Sequence, residues 1–483
     1  MFAAGWVDGA VGIRAGRLSM RVLLIAYEFP PIPSPQSLRW AYLGRELAER
    51  GHELHVLAPN VAGYGPGGLP SMPDTIRVHR VFAGPVMGLI AARAARRTAA
   101  AERHSGVTTR AGEARPAGQA SGRLNWKGRL LAVIKAVLGH VLFPDIRGEW
   151  TPWARRGLAR LLAELSPDVV ISSHEPATTL MLGLHARAQG FRWIADLGDP
   201  VLAPYTPRRW RRRSAALEAR VCRQADQVLV TCEAAGRLLA ERHGLPADRC
   251  TVLTQGFDAE ASTADPAIEI EFDDTRLELL YSGSFYAFRT PGALIAAVND
   301  TPGVRLTVAT ARAPVELIEA AQRWPERFRL LGYLGHRQTL AVQRGSHVLV
   351  NIGNDDPGQV PGKVYEYLGA GRPILHLGAA PDDPLWRSLA VAGIGLACDK
   401  QPEAIAACLR DLRDRRPVRI EPLAGPLARD ILAHSWQHLA ARLDDLLIRV
   451  AGQECPERAT ATVAPRRTQA MAGAVPAIDE KRR

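Results

Sequence analysis

The sequence predicts an α/β protein built from two doubly wound domains, each with a parallel β-sheet. Three observations support this prediction. The chain has 483 residues, short β-branched runs alternate with helical patterns, and an acidic, proline-containing stretch at 258–274 separates two such series. Domains average about 150 residues, so the chain is too long for one ordinary core. Alternating strands and helices are typical of parallel sheets with crossover helices.

The first series of predicted strands covers 21–26, 53–57, 76–82, 168–172, 192–196 and 227–231. The second series covers 277–281, 304–309, 328–331, 347–352 and 373–377. A helix over 37–50 ends at Gly51, the residue type favoured just past the end of a helix. We therefore expect the first strand, this helix and the second strand to form one βαβ unit.

Other segments lack this alternation. Residues 97–127 are rich in Ala, Gly, Arg, Ser and Thr without apolar periodicity, which predicts a mobile loop, and 130–143 is predicted as an amphipathic helix. The last residues, from 451 to 483, contain few large apolar side chains and are predicted to be a disordered tail. Residues 1–19 carry Asp8, Arg14 and Arg17 without a continuous apolar run, so we treat them as an extension rather than a targeting signal.

Composition excludes several classes of protein. Six cysteines are scattered without a C-x-x-C pair, which favours a reduced, cytoplasmic compartment and predicts no metal site. No run of about 18 apolar residues occurs, so no membrane-spanning helix is expected. The formal net charge of +12 is compatible with nucleic acid, anionic membrane or phosphorylated substrates. Nucleic acid ranks last, because no nucleic-acid-binding motif accompanies the charge.

The most informative segment is 361–375, which reads P-G-K-V-Y-E-Y-L-G-A-G-R-P-I-L. A loop leads into a helix whose free N–H groups and positive dipole suit a diphosphate, and Glu366 lies one turn further on. This pattern resembles the donor motif of the retaining glycosyltransferases of family 4. The resemblance implies that Val360, Pro361, Gly362 and Lys363 hold the phosphates of a nucleotide sugar and that Glu366 binds its ribose.

A second match lies at 280–291, where a strand is followed by a glycine turn. The family motif here is G-R-x-x-x-x-K-G, whose Arg and Lys contact the diphosphate. Arg289 falls six residues after Gly283, at the family's Lys position, and a guanidinium can grip phosphate with two hydrogen bonds. Ser284 replaces the family's Arg. Gly358 replaces an acidic residue that contacts the donor sugar in many members, leaving Asp355, Asp356 or Gln359 for that contact.

The acceptor half matches the family less closely. Ser37 and Arg39 follow the first strand and are candidate acceptor or phosphate contacts. His174 and Asp199 follow two further predicted strands, at the edge of a parallel sheet where ligands bind. In the family a histidine important for catalysis ends the second of these strands. Because Gly198 or Asp199 stands at that place, Asp199 and His174 are candidates for orienting the acceptor.

The resemblance extends from about residue 20 to 450, with an unmatched stretch near 90–145. It implies the GT-B fold: two Rossmann-like domains facing each other across a cleft, with a C-terminal helix that crosses back to the first domain. The predicted units are an extension 1–19, an acceptor-side domain 20–262, a linker 263–276, a donor-binding domain 277–426, a crossover helix 427–450 and a tail 451–483.

The implied function is transfer of a sugar from a nucleotide-diphosphate sugar to a saccharide or lipid-linked hydroxyl acceptor, with retention and without a metal or other cofactor. Surface-polysaccharide or glycolipid assembly is the expected biological role. The basic cluster 208–213 also indicates peripheral contact with anionic lipid at the inner face of the plasma membrane. The alternatives are a GT-B epimerase or phosphorylase and a catalytically silent binding or scaffold subunit. A nicotinamide dehydrogenase is disfavoured because no G-x-G-x-x-G follows the first strand.

Overall fold

The structure, a computed structural model, describes residues 19–61, 69, 72–89, 91–92, 142–144, 146–204, 206–260, 270–286, 289–353, 362–381, 383–415 and 425–452. Several predicted features lie outside these ranges: the extension 1–19 apart from Ser19, the loop 97–127, most of the helix 130–143, the stretch 354–361 with Val360 and Pro361, and the tail beyond 452.

The first sheet has seven parallel strands in the order β3-β2-β1-β4-β5-β6-β7. Its strands are β1 Arg21–Ala26, β2 Glu53–Asn60, β3 Arg77–Phe82, β4 Val169–His174, β5 Trp193–Leu197, β6 Gln227–Val230 and β7 Cys250–Val252. Its helices are α1 Pro35–Glu49, α2 Thr151–Leu165, α3 Thr178–Ala188, α4 Arg208–Gln224 and α5 Glu233–His243, with a short helical segment at 85–89 and 3₁₀ turns at Ile146–Trp150 and Ala247–Arg249.

The second sheet has six parallel strands in the order β10-β9-β8-β11-β12-β13. They are β8 Leu277–Ser282, β9 Val304–Ala309, β10 Phe328–Gly332, β11 Val348–Ile352, β12 Ile374–Leu377 and β13 Gly395–Cys398. The helices are α6 Gly292–Asn299, α7 Val315–Arg323, α8 His336–Gly345, α9 Lys363–Ala370, α10 Pro384–Val391, α11 Pro402–Asp414, α12 Gly425–Leu432 and α13 Trp436–Gly452.

Strand β1 shows why the predicted strands are continuous apolar runs. Val22 and Leu24 pack on one face with residues of α1 and α13, whereas Leu23 and Ile25 pack on the other face with residues of α2. A parallel strand covered by helices on both sides has no polar face, so its sequence shows no alternation. The predicted two-sheet α/β architecture is confirmed, and β13, an edge strand absent from the prediction, completes the second sheet.

The C-terminal segment crosses between the domains in two helices. Ile431 of α12 packs with Leu385 and Trp386 of α10 in the second domain, whereas α13 joins the core beneath α1 in the first. The change of domain falls at 433–435, inside the single crossover helix predicted over 427–450. There the returning chain meets the outgoing one, because Phe257 N–H donates to His434 O at 3.2 Å and Trp436 N–H donates to Phe257 O at 3.0 Å.

A buried polar pair fastens α13 to the first domain. His52 Nε2 lies 3.0 Å from Asp444 Oδ1, and both side chains are buried. The backbone N–H of Met20 donates to His52 Nδ1 at 3.3 Å, so Nε2 carries the ring proton and donates it to the carboxylate. None of the helices in the described parts of the chain combines the length and apolar character needed to cross a bilayer.

Candidate active site

A cleft with a volume of about 340 Å³ lies between the two sheets. The first domain contributes Pro33, Ser34, Pro35 and Leu38 from the loop and helix after β1, and the connecting chain contributes Gln255, Gly256 and Trp436. Loops at the carboxyl ends of the second domain's strands supply most of the remaining wall, where ligands of open α/β sheets bind. Five predicted donor-side residues line it: Gly283, Ser284, Gly362, Lys363 and Glu366.

The turn after β8 brings the chain close to Lys363. Gly283 has φ +127°, outside the range that residues with a Cβ adopt readily. A Cβ added there would have its nearest neighbours, Lys363 Cδ and Nζ, at 3.8 and 3.9 Å. The backbone conformation, rather than lack of space, therefore requires glycine at this position.

Lys363 is the first residue of α9, and its ammonium is buried beneath the cleft. Nζ lies 3.7 Å from the ring centroid of Tyr281, and it has no hydrogen-bond partner among the residues that the structure describes. Burial holds the pKa of Lys363 well below its ordinary value; Arg289 lowers this pKa further and Glu366 opposes the shift. A buried cation that faces a cleft without an acceptor is stabilised when an anion binds beside it.

Arg289 lies beside this lysine but does not line the cleft surface itself. The backbones of Tyr286 and Arg289 exchange hydrogen bonds of 3.3 and 2.9 Å, and the guanidinium lies 5.6 Å from the Tyr286 ring centroid. Burial raises the pKa of Tyr281 to about 12, and the nearby Arg289 opposes that rise. The two cations thus share one aromatic neighbour at the floor of the site.

Ser284 supplies no charge where the family motif has arginine. Its carbonyl accepts a hydrogen bond of 2.9 Å from the Tyr281 hydroxyl, which fixes the turn above the lysine. The positive charge predicted for the phosphates therefore rests on Lys363 and Arg289, together with the free N–H groups at the start of α9.

Glu366 lines the cleft one turn into α9, and its neighbour His336 was missed by the sequence analysis. His336 Nδ1 lies 3.5 Å from Glu366 Oε1. His336 opens α8 directly after Gly335, so a helix start behind a strand and a glycine was the available signal. Tyr42 of the first domain also reaches this histidine, at 3.3 Å.

A second polar pair lies deeper in the donor-side domain. Asn351 Nδ2 lies 2.8 Å from His376 Nδ1, at the carboxyl ends of β11 and β12. Burial lowers the pKa of His376 to about 4, and Lys363 is among the cations that add to this shift. A neutral histidine here adds no positive charge to the two cations nearby.

The acceptor-side candidates His174 and Asp199 lie together at the carboxyl edge of the first sheet, away from the cleft lining. His174 Nδ1 lies 3.1 Å from the Asp199 carbonyl oxygen, and burial lowers the pKa of His174. Gln36 fills the space beside them, since a Cβ added at Gly198 would lie 1.8 Å from Gln36 Nε2. The position expected for a family histidine is therefore occupied by the amide of Gln36.

The structure corrects the suggestion that Arg39 contacts a phosphate or the acceptor. Its side chain is fully buried and pairs with Asp196 at 3.1 Å, and it donates to the carbonyls of Leu253 and Thr254. The guanidinium is occupied in tying α1 to β5 and to the outgoing chain. Ser37 is also fully buried, and its backbone N–H donates to Ser34 Oγ at the start of α1.

Glu28 follows β1 and is a further acidic side chain on the acceptor side. It pairs with Arg147 at 2.8 Å, and burial raises its pKa while Arg147 opposes the shift. Among the described residues, no three His, Cys, Asp or Glu side chains cluster closely enough to hold a metal ion.

Solved structures share this architecture. Sucrose-phosphate synthase from Thermosynechococcus elongatus is 15% identical, with 89% of this chain and 99% of that chain covered and a TM-score of 0.61. WaaG, a glycosyltransferase involved in lipopolysaccharide biosynthesis, is 13% identical over 88% and 99% of the two chains, with a TM-score of 0.54. A Listeria monocytogenes protein described as a UDP-N-acetylglucosamine 2-epimerase is 15% identical over 88% and 95%, with a TM-score of 0.51. The fold is GT-B.

The sequence comparison adds a match of part of the chain to a family model. Residues 107–261 match the model of Glycosyltransferase Family 4, and none of the curated proteins matches the sequence. The chain thus has a GT-B fold, and a segment of its first domain is similar to Glycosyltransferase Family 4. The matched segment ends before the second domain, so the assignment of donor-binding residues depends on the geometry of the cleft.

Proposed function

We propose that this protein is a glycosyltransferase that moves a sugar from a nucleotide-diphosphate sugar to a hydroxyl acceptor, with retention at the anomeric carbon. The observation that carries the proposal is the buried ammonium of Lys363, which faces the cleft without a hydrogen-bond partner among the described residues. Arg289 lies near it, the turn at Gly283 leaves the approach open, and Glu366 stands one helical turn away.

The reaction breaks the bond between the anomeric carbon and the diphosphate and forms a bond from that carbon to the acceptor oxygen on the same face. Negative charge develops on the departing diphosphate, one of whose oxygens takes the proton that the acceptor hydroxyl loses. Lys363, Arg289 and the start of α9 stabilise that charge, and stabilisation of this kind is usually the largest single contribution to catalysis. No metal or other cofactor is part of the proposal.

Glu366 is proposed to accept hydrogen bonds from the ribose hydroxyls of the donor. Its side chain is 16% exposed and lines the cleft, so one carboxylate oxygen can reach a ligand. Domain closure around the donor would exclude water and limit its hydrolysis.

The acceptor is proposed to be a saccharide or a lipid-linked saccharide in surface-polysaccharide or glycolipid assembly, and the enzyme is proposed to act in the cytoplasm. Its five described cysteines are free thiols, in keeping with a reducing compartment. Five arginines at the start of α4 are exposed, while Trp210 packs on Phe143 with ring centroids 5.5 Å apart. These exposed arginines are Arg208, Arg209, Arg211, Arg212 and Arg213.

This basic face is proposed to contact anionic lipid at the inner side of the plasma membrane. Each arginine near an anionic surface contributes about 1 kcal/mol of binding free energy. Replacing Arg208, Arg211 and Arg212 together by alanine should abolish cosedimentation with phosphatidylglycerol vesicles. Equal binding of the variant, or equal binding to phosphatidylcholine vesicles, would contradict membrane contact through this face.

The central test is nucleotide release from UDP-, GDP- and ADP-sugars, with saccharide and lipid acceptors supplied. Glu366→Ala and Arg289→Ala should each lower kcat/KM roughly 100-fold, in line with the loss of one charged contact in the transition state. Arg337→Ala removes an exposed arginine from the same domain and serves as the control. All variants must show wild-type thermal unfolding.

Two other outcomes of this test would support the alternative functions. Isomerised nucleotide sugar formed without any acceptor would support an epimerase, whose fold is represented among the similar structures. Nucleotide-sugar binding without turnover on any acceptor would support a silent binding subunit.

A further inference from the structure

Three polar side chains connect the two domains at the mouth of the cleft. Tyr42 lies on α1 of the first domain, whereas His336 opens α8 and Glu366 lies one turn into α9 of the second. The Tyr42 hydroxyl lies 3.3 Å from His336 Nε2, and His336 Nδ1 lies 3.5 Å from Glu366 Oε1. Each ring nitrogen of the histidine therefore faces one partner.

One tautomer of His336 suits both partners. A carboxylate can only accept, so a proton on Nδ1 faces Glu366 favourably, and Nε2 can then accept from the Tyr42 hydroxyl. Burial raises the pKa of Tyr42, and the carboxylates of Asp258 and Glu366 add to the shift while Arg45 opposes it. The phenol keeps its proton and can donate it.

Tyr42 is itself held in place by the chain crossing. Its ring stacks on Trp436, the first residue of α13, with centroids 5.5 Å apart and planes 9° apart. The guanidinium of Arg45 lies 5.1 Å from the centroid of the Tyr42 ring. The position of the Tyr42 hydroxyl therefore depends on both the first domain and the start of α13.

We propose that His336 is a positioning residue, which with Tyr42 orients Glu366 toward the ribose of the donor and makes ribose recognition depend on the arrangement of the two domains. The inference rests on the proposed function, because it assigns Glu366 to the ribose. One oxygen of Glu366 faces His336, and the other remains for a ligand hydroxyl. Separation of the domains removes the Tyr42 contact and releases the histidine.

The experiment measures ribose selectivity in the full chain. UDP, GDP and ADP are each titrated against their 2′-deoxy counterparts, and inorganic pyrophosphate serves as a probe of the phosphate site alone. Loss of one hydrogen bond to a charged group should give the wild type about a tenfold preference for the ribonucleotide. Glu366→Ala should abolish that preference without changing pyrophosphate affinity.

His336→Ala and Tyr42→Phe should reduce the preference to roughly threefold and should likewise leave pyrophosphate affinity unchanged. The double variant Glu366→Ala with His336→Ala should match Glu366→Ala alone, because the histidine acts through the carboxylate. Arg337→Ala, which removes the exposed neighbour of His336 on the same helix, is the control and should match the wild type. His336→Gln can donate to Glu366 and should recover part of the preference.

Unchanged selectivity in folded His336→Ala, or an effect that adds to that of Glu366→Ala, would overturn this inference while leaving the proposed function standing. A wild-type protein that binds none of the nucleotides would overturn both. A loss of pyrophosphate affinity in Tyr42→Phe would mean that the contact between Tyr42 and His336 stabilises the whole cleft and does not act specifically on ribose binding.

Discussion

The ammonium of Lys363 lies 3.7 Å from the ring centroid of Tyr281, with its Nζ buried and the Arg289 guanidinium nearby. The aromatic face provides part of the stabilisation that water would otherwise give the cation. The Glu366 carboxylate offsets a further part of the desolvation cost, but no described residue accepts a hydrogen bond from the ammonium. We therefore expect the empty site to lower the stability of the folded protein and a bound anion to raise it.

Replacing Lys363 by methionine should therefore increase the stability of the protein while weakening its binding of nucleoside diphosphates. Removal of a buried amine without a hydrogen-bond partner, whose burial disfavours the charged form, should raise the free energy of unfolding by about 1 kcal/mol. Affinity for nucleoside diphosphates should fall at least about 100-fold. Urea denaturation and isothermal titration measure the two quantities.

Lys400→Met is the matched control, because it removes a lysine that does not line the cleft. Loss of stability in Lys363→Met together with unchanged affinity would show that the ammonium has a structural role and does not bind the phosphates.

Binding of a diphosphate should be accompanied by proton uptake. The pKa of Lys363 is depressed in the free protein, so between that lowered pKa and the ordinary lysine value the amine is neutral. A bound anion favours the charged form and raises the pKa, so up to one proton enters on binding. Titration calorimetry in buffers of different ionisation enthalpy measures this number.

The lowered pKa of Lys363 also determines how the stability of the free protein changes with pH. Through that pH window the unfolded chain binds more protons at Lys363 than the folded chain, so stability of the free protein rises with pH relative to Lys363→Met. Proton release on binding, or equal proton uptake in Lys363→Met, would contradict the assignment.

Gly283→Ala should be more destabilising than Gly332→Ala. Both sites have room for a Cβ, since the nearest neighbour at Gly283 lies 3.8 Å away and none lies within 4 Å at Gly332. Gly332 has φ +70°, close to the left-handed region that alanine can adopt, whereas φ +127° at Gly283 lies outside it. We expect a difference of about 1 to 2 kcal/mol in the free energy of unfolding. Equal costs by urea denaturation would indicate that the turn relaxes.

Asp444→Ala should loosen α13 from the first domain. The change leaves the Nε2 proton of His52 buried without its acceptor, at a cost of about 3 kcal/mol. Asp445→Ala, on the exposed side of the same helix, should change stability by less than about 0.5 kcal/mol. Thermal unfolding and hydrogen exchange of α13 measure the effect; equal protection of α13 in both variants would mean that apolar packing alone fixes the helix.

The helices and strands that the sequence predicted are those whose positions depend on residues close together in the chain. Strand β1 is apolar on both faces, and α1 has a proline in its first turn and a glycine just past its end, so their positions follow from short-range sequence. Edge strand β13 was missed because only one of its residues is fully buried. The break between α12 and α13 depends on pairing with Phe257, which is distant in sequence.

Residues predicted on the donor side come together in the cleft for a similar reason. Gly283, Lys363 and Glu366 belong to motifs in which a turn or a helix start places the side chain, so they converge once the sheet forms. Arg39 was interpreted incorrectly because a conspicuous arginine after a strand gives no sign of a buried partner. Asp196, which neutralises it, is 157 residues away.

The sequence by itself determined two parallel-sheet domains, because periodicity, caps and glycine turns act within a few residues. The crossover and the cationic residues proposed to bind phosphate were implied by the family resemblance. Only the tertiary structure decided that Lys363 is buried without a hydrogen-bond partner among the described residues, that Arg39 is neutralised, and that Tyr42 meets His336. Tyr42 and His336 are 294 residues apart. Burial and charge pairing are properties of what surrounds a side chain in space, and no local pattern specifies them.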